Sequence, residues 1–199
     1  MTAREELVGL LETLEQAGTS VMALARAERA PVPWTIYPGE YGIYDRRTRC
    51  QFYYHSHAGA EHEDGHVHTV RLFPDHTVHV VAISMAPTGW PRELFTVNLW
   101  AVGDAYAPPA EVARHARQFR LSEQRGPALL VRFVNLVFRA FLPEIQRLQD
   151  EKEQALAAWR VAHPDADPFE DRSLEVLSRV EVDPRRSAGR PGSPHRPPA

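Results

Sequence analysis

The order of apolar and polar positions divides the chain into a helical beginning, a β-rich middle and a helical end. Over residues 3–29, Leu7, Leu10, Leu11 and Leu14, then Val21, Leu24 and Ala25, recur at three- and four-residue steps, the period of one helix face. Gly18-Thr19-Ser20 predicts a break or kink in that segment. Pro31, Pro33 and Pro38-Gly39 then impose an extended, turning connection. Residues 41–44, 50–57, 66–73, 77–85 and 94–102 read as strands, rich in β-branched and aromatic side chains. Turn-forming residues at 45–48, 58–65, 74–75 and 86–92 join them. Connections that short make consecutive strands antiparallel neighbours. Helical spacing returns at 109–120 and from Gly126-Pro127 to about residue 161, with Pro143 expected to kink or split the longer helix. Residues 165–180 hold one more short helix candidate.

The predicted class is therefore α+β, an antiparallel meander of about four to five strands packed against N-terminal and C-terminal helices. One globular domain is expected over 1–182. Residues 183–199 contain five prolines and four arginines with almost nothing apolar, a composition that predicts disorder.

Charge and cysteine content narrow the function classes. The chain has 199 residues, 43% of them hydrophobic, and a formal net charge of -3. So near-neutral a balance gives no electrostatic reason to expect nucleic acid or an anionic membrane as partner; a small molecule is the expected one. Cys50 is the single cysteine, so no intrachain disulfide forms and a reducing cytoplasm is compatible. The N-terminus lacks the apolar run of a signal peptide, and Arg132, Asn135 and Arg139 break the most apolar segment, 128–142. A cytoplasmic location is expected.

The candidate chemistry lies in histidine. Seven of the ten histidines fall between residues 50 and 79: 55, 57, 62, 66, 68, 76 and 79. His55-x-His57 and His66-x-His68 flank an acidic loop, and within a strand residues i and i+2 share a face. A symmetric hairpin register sets His57 opposite His66 and His55 opposite His68. Directly opposed Cβ atoms lie ~4.5–5.5 Å apart, so four imidazoles would meet in one patch. Three or four convergent imidazoles suit a transition metal, Zn, Fe, Cu or Ni. Glu61 or Glu63 in the adjoining loop is the candidate general acid/base. His79, further along the same face, is a candidate cofactor-supporting residue that orients a ligand. In this register Val81, Ile83, Phe95 and Val97 share the histidine face, which makes it the more buried one. Arg132 and Arg139 recur along one helical face, either as a solvated stripe or, in the sharper reading, with Arg132 aimed at an anionic ligand over the sheet.

Two readings follow. The first is a metal-dependent enzyme of the oxygenase or hydrolase type, with His55, His57, His66 and His68 as ligands. The second is a non-catalytic module holding a metal, haem or small ligand; a purely structural histidine cluster is blander still. His62-Glu63-Asp64-Gly65-His66 also matches H-E-x-x-H, the zinc protease signature, which works only on a helix and here runs into β-rich sequence.

Two resemblances bear on this. His55-x-His57-x-x-x-Glu61 resembles, over seven residues, the first metal motif of cupins, small β-barrels that bind iron, manganese, nickel or zinc. A wider resemblance runs from Tyr37 to about Val180. Tyr53-Tyr54-His55-x-His57, Gly65-His66-x-His68, Val81-Ala82-Ile83-Ser84-Met85 and Leu94-Phe95-Thr96-x-Asn98-x-Trp100 look like a bacterial family catalogued only as a domain of unknown function. That family's pattern has Glu-His-Gly before the second His-x-His, where this chain has Glu63-Asp64-Gly65. The departure implies that a histidine at position 64 is not an essential ligand. The resemblance implies motif boundaries and no reaction.

Overall fold

The computed structural model describes residues 1–57 and 63–186, and its framework is one antiparallel sheet. Among those residues six strands, β1 Ile43–Asp45, β2 Cys50–His55, β3 Gly65–Leu72, β4 Thr77–Met85, β5 Pro91–Val97 and β6 Val176–Glu181, pair in that order. The first five are the expected meander. The sixth was not foreseen: 165–180 is no helix, but a single 3-10 turn at Pro168–Glu170 followed by a strand along β5. Pro164 and Pro168 shorten any helix there. The backbone of β6 meets its hydrogen-bonding requirement on the edge that β5 would otherwise leave open.

Helices α1 Ala3–Gln16 and α2 Val21–Ala25 are separate. Thr2 and Glu5 form a reciprocal cap at the start of α1, and Ser20 accepts from the Ala23 amide to start α2. The strand expected over 94–102 stops at Val97, and Leu99–Val102 is a short helix, α3. Asn98 causes the change. Its Oδ1 accepts from the Leu99 amide at 2.7 Å while its Nδ2 donates to the carbonyls of Pro168 and Leu174. Gly103, at φ 67°, closes the turn. The remaining helices are α4 Pro109–Gln118, α5 Ala128–Ala140 and α6 Leu142–Ala162, the last two divided at Phe141 as Pro143 predicts. No helix among the described residues is long and apolar enough to cross a membrane.

Helices lie on both sides of the sheet, and the two faces differ sharply. Cys50, Phe52, Tyr54, Val67, Val81, Ile83 and Leu94 join the leucines of α1 and the Phe133–Val137 stretch of α5 in the main core. His55, His66 and His68 belong to the other face, beside a small cluster of Ala82, Phe95 and Val97 covered by Val102 of α3. This corrects the expected placement of Val81 and Ile83. Thr69 pairs with Val81 but Val70 pairs with His79, which leaves Val80 as an extra residue in β4. One bulged residue inverts the facing of everything beyond it. His79 stays with the histidines, while Val81 and Ile83 turn into the main core.

The domain also runs slightly past its expected end. Arg185 places its guanidinium 3.6 Å from the centroid of the Trp90 ring, and the Arg186 carbonyl accepts from Arg4. Residues 183–186 thus pack on the domain; the rest of the predicted tail, 187–199, lies outside the described residues.

Candidate metal centre

Strands β2 and β3 carry the site, in a register two residues away from the symmetric one. His55 pairs with His66 and Tyr53 with His68. An even shift preserves the faces, so the histidines still meet. Its cause is local. Beyond His55 the chain leaves the ladder: the Ser56 carbonyl accepts from the Trp34 amide at 2.9 Å. On the facing side, Arg26 donates to the Tyr54 hydroxyl at 2.9 Å and to the Asp64 carboxylate at 3.0 Å, pinning the start of β3. Gly65 then crosses directly over β2. Its φ is +146°, and a Cβ there would stand 2.4 Å from the His55 carbonyl oxygen and 2.6 Å from the Tyr54 ring. Only glycine passes.

Three imidazoles converge. One nitrogen from each of His55, His66 and His68 lies within 4.8 Å of the others. The Nε2 atoms of His55 and His66 are 2.7 Å apart, and His57 Nε2 stands 3.3 Å from that of His55. Ligands bound at ~2.0–2.1 Å in a tetrahedron stand about 3.3 Å from each other, so separations running from 2.7 Å to within 4.8 Å come close to a coordination sphere and reach one by small shifts of the rings. His55, the least buried of the three, is the ring freest to adjust. His57 lies at the margin, with its ring stacked on Trp34 at 4.2 Å between centroids.

Groups behind two of these rings fix which nitrogen faces inward. His66 Nδ1 lies 3.2 Å from the Glu63 carboxylate. Burial raises the Glu63 pKa, but hydrogen bonds with His66 and Ser84 and the coulombic effect of His66 together hold it below the ordinary value. The carboxylate is therefore an acceptor and His66 donates to it from Nδ1, which turns Nε2 towards the cluster, where it offers a lone pair whenever the ring is neutral. His68 Nδ1 stands 3.0 Å from His79 Nε2, so its own Nε2 also faces the cluster. Tyr53 stacks on the His68 ring at 5.1 Å.

The site favours neutral imidazole. Burial, then the neighbouring His66 and His57, push His55 down to about 4 against the opposing charge of Glu63. Burial and then His79 hold His68 well below its ordinary value. Burial, reinforced by Lys152, brings His79 down to about 3. Neutral imidazole is the form that ligates a metal.

The other predicted residues are distributed as follows. Glu61 and His62 lie outside the described residues. Glu63 reaches the site through His66. His79 sits behind His68. Arg132 does not join them: it forms a two-pronged ion pair with Glu123, at 3.1 and 2.9 Å, on the side of the sheet that α1 and α5 cover. Arg139 pairs there with Glu6. The helix that H-E-x-x-H requires is absent, since Glu63 and Asp64 are non-helical and His66 is in β3. The cupin resemblance does not extend to a barrel, because the sheet is an open row from β1 to β6. Trp34 and Lys152 went unread in the sequence, and Tyr53 was read only within the family signature, not as part of the site. Tyr53 carried a signal, two residues from His55 and hence on its face, whereas Trp34 and Lys152 arrive through tertiary contacts alone.

No curated protein and no solved structure matches the chain. A family model does, that of the domain of unknown function DUF6969, over residues 1–182. With that match spanning nearly the whole sequence, the chain belongs to this uncharacterised domain family.

Proposed function

We propose that the protein binds one first-row transition metal ion through His55, His66 and His68 and uses it as a metal-dependent enzyme of the oxygenase or hydrolase type. The convergence of three imidazole nitrogens within 4.8 Å carries this reading. Three protein ligands leave positions for water or substrate, the arrangement that catalysis requires. A bound ion would supply Lewis acidity or redox capacity at that opening. The protein's own part is orientation: with an ion bound, His66 would donate from Nδ1 to the Glu63 carboxylate and His68 from Nδ1 to His79 Nε2, so that both rings present Nε2.

A non-catalytic holding site is the second reading, and one observation favours it: His57 Nε2 stands 3.3 Å from His55 Nε2. If His57 closes the sphere, no position remains for substrate. Elemental analysis tests the shared part. Untagged protein reconstituted separately with zinc, iron, copper or nickel is expected to retain close to one ion per chain of at least one of them after desalting at neutral pH. Retention of none overturns both readings. The absorption spectrum of the cobalt-substituted protein, with and without added azide, separates them: only an open site changes on azide addition.

A further inference from the structure

The sheet's other face carries a second feature that the histidine chemistry does not use. Between α1, α5 and residues 117–123 lies a cleft of about 1250 Å³, with Arg71 and Thr48 among its lining residues. Arg71 belongs to β3, but it pairs with Cys50 and therefore faces away from His66 and His68. Ligand sites are typically concave, largely apolar and of ~300–1,000 Å³. This one is of that order and open to solvent.

Its charges are unevenly matched. Arg132 and Arg139 line it already paired, with Glu123 and Glu6. Arg71, Arg117 and Arg120 line it without a carboxylate at ion-pair distance among the described residues. Arg71 is the strongest case. Its Nη1 donates to the Thr48 carbonyl and touches Cys50 Sγ at 3.1 Å, while its Nε is buried with no hydrogen-bond partner. A partly buried guanidinium satisfied only by a carbonyl and a thiol calls for an anion.

The rest of the lining is mixed: Glu5, Thr13, Gln118 and Asn135 are polar, and one side is apolar. Leu10, Leu129 and Leu136 border the cleft, and Leu129 is 40% exposed. Gly9 borders it too, in the middle of α1, where glycine costs ~1 kcal/mol relative to alanine. A Cβ at Gly9 would meet nothing within 4 Å, so no contact inside the protein requires the glycine. The open space beside it is room for something else.

We propose that this cleft binds a small amphipathic organic anion, with its charged head on Arg71, Arg117 and Arg120 and its apolar body along Leu10, Leu129 and Leu136 past Gly9. A free inorganic anion would leave the exposed Leu129 uncovered, and an uncharged lipid would leave the guanidiniums unmatched. The site is separate from the histidines, so its failure and theirs are distinguishable.

Decanoate below its micellar concentration is the probe, titrated calorimetrically into the full chain. The expected result is saturable one-to-one binding, with decanol and inorganic phosphate each binding at least about tenfold more weakly. Arg71→Gln is expected to weaken decanoate about tenfold or more, and Gly9→Leu to weaken it about tenfold by narrowing the cleft beside α1 while α1 stays folded. Neither changes metal content. The proposal is overturned if decanoate does not saturate, if phosphate binds as tightly as decanoate, or if affinity is unchanged by Gly9→Leu. Should Arg71→Gln fail to fold, Gly9→Leu decides alone.

Discussion

His55 and His66 face each other across the β2–β3 ladder with their Nε2 atoms 2.7 Å apart. Two facing lone pairs would repel at that distance, so a contact that close needs a proton on one of the two nitrogens or a shared cation. Ligand substitution tests which histidines matter. His55→Ala, His66→Ala and His68→Ala are each expected to cut metal retention to a small fraction of stoichiometric. His57→Ala, at the margin, is expected to cost much less. Elemental analysis of the four variants after identical reconstitution checks the order, and a loss with His57→Ala equal to that with His68→Ala would move His57 into the primary set.

The supporting groups should show as affinity rather than as folding. Glu63→Gln and His79→Leu are each expected to weaken metal binding by about 10–100-fold, with far-UV circular dichroism unchanged. Competition against a chromophoric chelator at pH 7 measures it. An unchanged affinity for Glu63→Gln would show that His66 does not depend on that carboxylate for its orientation.

Acid should destabilise the metal-free protein in a defined window. The His55 pKa is about 4 in the fold against the ordinary 6.5. The unfolded chain therefore binds the proton first as pH falls, and the fold loses stability progressively from about pH 6.5 to about pH 4. His68 and His79 shift in the same direction. Urea midpoints of metal-free protein at pH 7, 5.5 and 4.5 are expected to fall in that order, with a shallower fall in His55→Ala. A flat profile would contradict the neutral cluster.

Lys152 shows the same sign at higher pH. It is 8% exposed, beside His79 and 5.6 Å from the Tyr106 ring centroid, and burial brings its amine down to about 8 from 10.5. Keeping it charged at pH 7 costs the fold on the order of 3 kcal/mol at 1.36 kcal/mol per pKa unit, less what Tyr106 returns. Lys152→Met is expected to stabilise the protein by a few kcal/mol at pH 7, the gain shrinking as pH rises from 8 towards 10.5. Denaturation at pH 7 and pH 10 compares the two, and a destabilised variant at pH 7 would mean the amine has a favourable partner.

Much of the architecture was readable along the chain. Alternation located β2 to β5, and three- and four-residue spacing located α1, α4, α5 and α6. The register of β2 on β3 was not, because alternation of period two looks identical after a slip of two, and the tertiary grip of Arg26 on Asp64 decided it. Asn98 could have been read as a cap, yet Leu99 to Val102 continued the apolar run and hid it. The helix expected over 165–180 became β6 because an edge of β5, distant in sequence, needed a partner. The clustered histidines on adjacent strands were legible as a set; Trp34 and Lys152 reach them from more than twenty residues away and left no local mark.

The bulge at Val80 makes the histidine site depend on counting. Eight residues of β3 run beside nine of β4. Removing Val80 alone would either swing His79 away from His68 into the leucines of the helices or bring Val81 and Ile83 out beside the imidazoles. Removing two residues from β4 would shorten it without exchanging inside for outside. For anyone grafting these strands into another sheet, the length of β4 is thus part of the binding motif, as much as the histidines themselves.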